Sequence, residues 1–531
     1  MKKMRWLIVV IIFSLFPLLD LWKTGLPITH DGQDHVTRIA NFYQSLSEGH
    51  IVPRWAGNLN WGYGHPILMF LYPLPSYGAS LFHFVGFSFV DATKLVFAVA
   101  YIASMVTMFV WAEAQWGRIA GLTAAIVYGF APYRFVDLYV RGAIGEHTAF
   151  VFLPIILWGL LKLARCRNRR WGMVVAASIA GLLLSHNAMS LMFLPVVFLY
   201  GAYLNFFETK ERRQFIILSV WYIAIGFMLA SFFWIPAFFE GKYTLRDIVT
   251  KGDFSDRFVP VQKFFYTPWN YGGGNELSKE LGIAQWFMVF ASIVVFFRTK
   301  KKATRWIAGV SLLSLVASIF LMTSWSSGIW QQITTLQKFQ FPWRLLTLAV
   351  FFSSVLGGAV IASFSKSSKK IACGVVVFVS LASTFFMWHA QAYSIKPESF
   401  YTGIYNGTTD TGESSPIWSV RFMEKRSDAP MQVIEGTASI KQVSRSSTRH
   451  FYQIVASQSA KLVENTLYFP GWEVRVDGKS VGVEFQDPAW RGLMTFWVPT
   501  GEHQIEVHFK ETKLRKMANA LSIVGLLLFI L

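Results

Sequence analysis

Hydrophobic residues fall along the chain in long blocks rather than at alternate positions, and short basic runs separate the blocks. A block of about 20 residues is what a helix needs to cross a hydrocarbon layer of about 30 Å. The first block, residues 6–22, follows Lys2, Lys3 and Arg5, the asymmetry of a helix leaving the cytoplasm. Leu26-Pro27 offers no small-residue cleavage site, so the block reads as a retained helix rather than a signal peptide. Basic runs at 162–170, 210–213, 298–305 and 366–370 fix the cytoplasmic side. Counting from them predicts crossings at 94–111, 119–132 and 148–161, then a pair of helices turning at Ser185-His186-Asn187. Further crossings follow at 215–238, 282–297, 306–322, 343–363 and 371–388.

The same count leaves the apolar block 66–89 beginning and ending outside. Pro73 and Pro75 would each remove a hydrogen bond from a spanning helix, so residues 29–90 are expected to form outer juxtamembrane helices. A polar outer loop is expected at 240–279. After residue 391 the period changes to two, as in 451–455 and 472–476 with a turn at Asp477-Gly478, predicting a β-sandwich-like domain over 392–512. A basic start and a short apolar stretch at 513–531 read as an incomplete last crossing. The fold class expected is a polytopic α-helical membrane protein of about 12 transmembrane helices, with residues 1–391 as the membrane domain and an extracytoplasmic β-rich domain near the C-terminus.

Composition agrees: of 531 residues 53% are hydrophobic and 17% aromatic, and mean hydropathy is +0.41, which excludes an ordinary soluble domain. The net charge of +19 would suggest nucleic acid in a soluble protein, but the bases sit in the short runs that set topology, so the expected partner is the bilayer and no nucleic acid. Cys166 and Cys373 stand apart, beside predicted cytoplasmic runs, which argues against a disulfide framework or a metal cluster.

Candidate chemistry gathers on the outer side. His30-Asp31-Gly32-Gln33-Asp34-His35, with Arg38 behind, places ionisable groups directly after the first crossing, where charge is costly. Asp31 and Asp34 lie one helical turn apart if a helix begins near Thr29, the arrangement of a general base or a metal clamp; helix capping explains an aspartate equally well. Arg141-Gly142-Ala143-Ile144-Gly145-Glu146-His147 stands at the mouth of another crossing, although Glu146 would also answer a helix dipole and Arg141 a lipid phosphate. His186 fits a capping turn. Arg344, after Phe341-Pro342-Trp343, is placed to hold a phosphate through its planar fork. Trp55, Trp61, Tyr63, Trp269 and Tyr271 fit an interfacial aromatic belt better than sugar stacking.

These features resemble the GT-C class of glycosyltransferases, and several stretches are similar to the bacterial membrane proteins called 6-pyruvoyl-tetrahydropterin synthase-related, including their YfhO-like relatives. The resemblance covers nearly the whole chain. It is carried by His30-Asp31 to Arg38, Pro53-Arg54-Trp55, Gly62-Tyr63-Gly64-His65-Pro66, Tyr72-Pro73, Arg141-Gly142 to Glu146, Leu184-Ser185-His186-Asn187 and Phe341-Pro342-Trp343-Arg344. Near the C-terminus, Phe469-Pro470-Gly471-Trp472 to Val476-Asp477-Gly478 and Val498-Pro499-Thr500-Gly501-Glu502-His503 add to it. The pterin label implies no pterin chemistry, since the 11 histidines show no zinc-site spacing.

The resemblance implies transfer of a sugar from a polyprenyl-phosphate donor to a lipid, glycan or protein acceptor on the outer face of the bacterial cytoplasmic membrane. Asp31 or Asp34 would be the catalytic base. Arg344, with Arg141 or Arg54, would hold the donor phosphate, and His35, Arg38 and His186 would line the substrate site. Glu146 and His147 would orient the acceptor or bind a divalent ion, Mg or Mn, with Asp31, Asp34 and Glu146 as its candidate ligands. The chain has no contiguous Asp-x-Asp. A non-catalytic scaffold or a lipid-glycan transporter is the alternative.

Overall fold

In the computed structural model, which describes residues 2–252, 254–273 and 276–531, every predicted crossing is helical. Among the described residues 8 helices are long and apolar enough to span a membrane, or 9 if the bent pair Arg118–Gly129 and Pro132–Arg141 is one span. The difference from the expected number lies in three helices. Ile283–Arg298 has 16 residues and Arg169–Ser185 has 17, both short of a full crossing. Lys513–Ile530 begins with Lys513, Arg515 and Lys516, which lower its apolar content.

The helix that continues from Pro342 to Ser363 is the centre of the bundle, with 89% of its apolar window buried. It packs on Arg118–Gly129, Lys302–Met322 and Ile283–Arg298. Lipid tails give apolar side chains little reason to leave them, so close approach of backbones has to hold such helices together. Gly121 supplies it, since a Cβ there would lie 2.9 Å from the Glu113 backbone nitrogen, and Gly358 lets the Trp116 ring lie against the central helix, where a Cβ would be 2.7 Å from it. Gly32–Ser47 and Leu74–Phe84 are the two longer helices of the segment 29–90; the second has 11 residues, too few to cross a membrane, and prolines open it.

The strands occupy Met431 to Phe509. A five-stranded antiparallel sheet runs Ala438–Arg445, Arg449–Ala456, Gly501–Phe509, Trp472–Val476, Lys479–Val481, and a three-stranded one runs Met431–Glu435, Ala460–Leu467, Leu493–Val498. Tyr452, Val474 and Val507 of one sheet and Leu462 and Phe496 of the other share a core, so the sheets form a sandwich.

Trp55 ties the sandwich to the membrane domain. It is 1% exposed and packs on Trp472 and Phe509 at centroid distances of 5.3 and 5.5 Å, so it is an interdomain contact and not part of an aromatic belt. Gly64, at φ +78°, makes the room, because a Cβ would fall 2.4 Å from the Trp55 Nε1. Leu26 and Pro27 pair with Ser394 and Tyr393, and the strap from 396 to 423 then crosses the membrane domain before the first strand.

Inside the sandwich Glu464 is fully buried, 2.7 Å from Arg445 Nη1 and 2.9 Å from His450 Nδ1. Burial would raise its carboxyl, but His450 and Arg445 outweigh burial and hold it at about 2. A depressed carboxyl stabilises the fold above its unfolded value of 4.5 and loses that contribution as pH falls toward 2. Near-ultraviolet circular dichroism of the detergent-solubilised protein should therefore show the sandwich losing stability over that acid window. Glu464→Gln should remove the window and lower stability at neutral pH, because the half-buried Arg445 loses its carboxylate partner.

Candidate functional site

The site is built on a break in the membrane helices. Pro132 opens a helical turn that passes into a π-helical segment, Val136–Arg141, and Gly142 closes it in the left-handed region at φ +67°. A Cβ on Gly142 would lie 2.3 Å from Thr29 Oγ1, so glycine is required for this approach as well as for the turn. A new helix, Ile144–Ala149, follows. The break turns Arg141 back onto Glu146: Nη1 donates to Oε2 and Nη2 to Oε1, each at 2.8 Å. Tyr133 Oη also donates to Glu146 Oε2 at 2.9 Å, and Arg141 Nη1 reaches Asp137 Oδ1 at 2.6 Å.

A second arginine comes from far along the chain. Pro342 starts the central helix, and Arg344 Nε donates to Glu146 Oε1 at 2.6 Å while its Nη1 donates to the Phe339 carbonyl at 2.8 Å. Phe341 and Trp343 stack at 5.0 Å, placing Phe341 5.2 Å from the Arg344 guanidinium and Trp343 4.7 Å from that of Arg141. Glu146 thus joins two arginines in a site where all three side chains are nearly inaccessible. This is neither a dipole contact for Glu146 nor a lipid contact for Arg141. Arg344 Nη2 makes no hydrogen bond among the described residues and is not enclosed, so it is an open donor.

His186 closes one side. Its Nδ1 accepts from the Met189 amide at 3.3 Å, the capping role expected, while Nε2 stands 3.9 Å from Glu146 Oε1. The ring stacks on Tyr72 at 4.9 Å, and Tyr72 fits only because Gly145 has no side chain: a Cβ there would lie 2.3 Å from its ring. Burial lowers the His186 imidazole to about 3 and raises the Tyr72 hydroxyl to about 12, so both are neutral at pH 7.

The amides of His30 and Asp31 donate to the carbonyls of Val140 and Arg141 at 3.0 and 2.9 Å, which satisfies the end of the π-helical segment and fixes Asp31 beside the arginines. Asp31 occupies the position before the helix Gly32–Ser47 but its side chain caps nothing; Thr29 Oγ1 accepts the Gly32 amide instead, at 3.0 Å. The Asp31 carboxylate meets solvent yet sits deep among protein atoms, as in an indentation. Desolvation there raises it above the usual carboxylate range, against the pull of Arg141 and Arg38. Asp34 differs, accepting a hydrogen bond from Tyr405 Oη at 2.9 Å. Arg38 Nη1 donates to His35 Nδ1 at 3.0 Å, and burial beside Arg38 holds the His35 imidazole well below its ordinary value, hence neutral.

The strap covers this edge. Arg38 donates to Thr409, from Nε to Oγ1 at 3.3 Å and from Nη2 to the carbonyl oxygen. Thr409 has φ +62°, strained for a β-branched residue, and Gln340, which donates to Glu413 at 3.0 Å, has φ +60°. Arg38 is therefore held by neutral oxygens and not by a carboxylate.

Two expected residues lie elsewhere. Arg54 donates to Glu511 at 2.9 Å, the Phe232 carbonyl at 3.0 Å and Asn519 at 2.9 Å, so each of its guanidinium nitrogens is engaged in anchoring the C-terminal helix. His147 is adjacent to Glu146 on one helix and so points about 100° away, where it packs on Phe97 and Tyr101. No group of three or more His, Cys, Asp or Glu residues converges as a metal site among the described residues. Glu146 is occupied by arginines and Asp34 by Tyr405, so the expected divalent-ion ligands do not fit that role together. Sequence reading gave Tyr72 no role in the site and missed Tyr133, Asp137, Tyr405 and Thr409; Asp137 is signalled by its i,i+4 spacing to Arg141, while Tyr405 and Thr409 are signalled only by contact across the fold.

The family model described as 6-pyruvoyl-tetrahydropterin synthase related domain, membrane protein, matches residues 68–394. An uncharacterized protein of Lactococcus lactis subsp. cremoris is 22% identical over 258 residues, 47% of this chain and 42% of its own length. A mutant form of arabinofuranosyltransferase AftD from Mycobacteria superposes with a TM-score of 0.50 at 14% identity, over 75% of this chain and 29% of that one. ArnT from Cupriavidus metallidurans, bound to undecaprenyl phosphate, gives 0.41 at 14% identity, over 75% and 68% of the two chains. The chain spans less than half the length of its curated relative and under a third of AftD. The AftD likeness establishes a GT-C-like fold.

Glu146→Gln should leave Arg344 buried without its carboxylate partner and Arg141 with Asp137 alone, lowering stability by about 3–5 kcal/mol. Thermal unfolding in detergent checks this; an unchanged midpoint contradicts it. Arg344→Lys keeps the charge but loses the fork, and should unfold at a lower temperature than wild type by several degrees.

Proposed function

The chain belongs to the membrane-protein family described as 6-pyruvoyl-tetrahydropterin synthase related, and on that footing we propose that it is a GT-C-type glycosyltransferase. It moves a sugar from a polyprenyl-phosphate-linked donor to a lipid, glycan or protein acceptor on the extracytoplasmic face of the bacterial cytoplasmic membrane. One observation carries the reading: a free carboxylate, Asp31, stands beside a fixed arginine cluster that offers an open guanidinium donor. That pair is what transfer from a phosphate leaving group requires, a base for the acceptor and fixed positive charge for the departing phosphate.

In this account Asp31 takes the proton from the acceptor hydroxyl as its oxygen bonds to the anomeric carbon. The bond from that carbon to the phosphate oxygen breaks, and polyprenyl phosphate leaves with the electron pair. Arg344 receives its charge through Nη2, and Arg38 joins by exchanging the Thr409 carbonyl for a phosphate oxygen. Arg141 holds Glu146 and the helix break, so it positions Arg344 and does not take the phosphate. Asp34 orients Tyr405 in the strap. No step uses a metal ion, in keeping with the engaged state of Glu146 and Asp34.

Turnover of polyprenyl-phosphate sugars to polyprenyl phosphate in nanodiscs tests this. Asp31→Asn should lower turnover by about 10²–10⁴-fold, the usual worth of a general base, and Asp34→Asn by far less. Because Asp31 is raised, kcat/KM should fall with decreasing pH through a value above 3.8, and Asp31→Asn should abolish that limb. EDTA should leave the rate unchanged. Equal effects of the two aspartates would contradict the assignment, and no release from any donor by folded protein would favour a scaffold or transporter.

A further inference from the structure

At the opposite ends of the membrane helices, away from the site, lies a second cavity of about 320 Å³. It opens between the end of Phe89–Trp116 and the end of Phe152–Cys166. Val110, Ala114 and Trp158 are its apolar lining residues, and Arg118 and Lys162 its cationic ones. Trp158 and Lys162 are four residues apart on one helix and so share a face. Gly117, at φ +91°, turns the chain into the next helix at the cavity edge, where a Cβ would meet nothing within 4 Å.

The charges there are incompletely balanced. Glu113, also on the lining, pairs with Arg118 at 3.4 Å. Lys162 has no carboxylate partner among the described residues, and its ammonium stands 5.8 Å over the Trp171 ring. Arg165 nearby is taken up by Glu208 at 2.9 Å and the Ala114 carbonyl at 2.7 Å. Lys162 belongs to the first basic run that the hydropathy pattern assigns to the cytoplasmic side. A lining that joins apolar side chains to two cations, at the level where spanning helices end, matches an amphiphile and not a soluble anion.

We propose that this cavity binds an anionic membrane lipid, with Lys162 and Arg118 on its phosphate and Val110, Ala114 and Trp158 against the first carbons of its chains. Native mass spectrometry of the full chain in detergent, titrated with phosphatidylglycerol, phosphatidylcholine or inorganic phosphate, tests it. Phosphatidylglycerol should bind as one adduct, about tenfold or more tighter than phosphatidylcholine. The pair Arg118→Gln/Lys162→Gln should weaken it about thirtyfold, as expected for the loss of two surface-level cations. Arg170→Gln/Lys300→Gln, which removes exposed cations outside the cavity, should leave it unchanged. Equal affinity for phosphatidylcholine, an equal loss in the control pair, or saturation of the site by inorganic phosphate alone would overturn the proposal.

Discussion

The carboxylate of Glu146 is the contact on which the rest of the site depends. It lies just after a helix break, is almost inaccessible, and is gripped by Arg141 from five residues before it and by Arg344 from the start of the central helix. Taking such charges out of water is expensive, and only close mutual pairing with additional hydrogen bonds offsets it. Tyr133, Asp137 and the Phe339 carbonyl supply those bonds. The pairing fixes the angle of the break and the entry of the central helix together, and His186 and Tyr72 pack against the result.

Around that locked triad stand two charged groups with less complete partners. Asp31 is delivered by backbone hydrogen bonds to the end of the π-helical segment and caps no helix. Arg38 is held by the oxygens of a threonine in a strained conformation. Strained backbone at Thr409 and Gln340 persists only because the surrounding contacts over-determine it. The strap thus belongs to the site as much as the membrane helices do, and the sandwich that follows it is pinned to the membrane domain through Trp55.

Much of this was legible in the hydropathy pattern, because span length and basic runs are set by bilayer thickness and topology, not by tertiary contacts. The Ser185-His186-Asn187 turn, the prolines of the juxtamembrane block and the acidic loop after the first crossing were readable for the same reason. Choosing between Asp31 and Asp34 was not, since the choice rests on Tyr405, which lies 371 residues from Asp34. Arg54 failed similarly: an arginine at a membrane boundary suggests phosphate, and its partners Glu511 and Asn519 cannot be paired with it by local pattern. His147 is a different case. Two neighbours on a helix cannot face one point, so periodicity alone argues against using Glu146 and His147 together.

In the proposed reaction, donor phosphate enters between Arg344 and Arg38, beside Asp31. Cryo-electron microscopy of the protein in nanodiscs with a non-transferable polyprenyl phosphonate sugar addresses it directly. Phosphonate oxygens should lie within hydrogen-bond distance of Arg344 Nη2, with the Arg38 guanidinium released from Thr409 and the anomeric carbon facing the Asp31 carboxylate. A phosphonate bound elsewhere, with Arg38 still on Thr409 and Asp31 remote from the sugar, would contradict it.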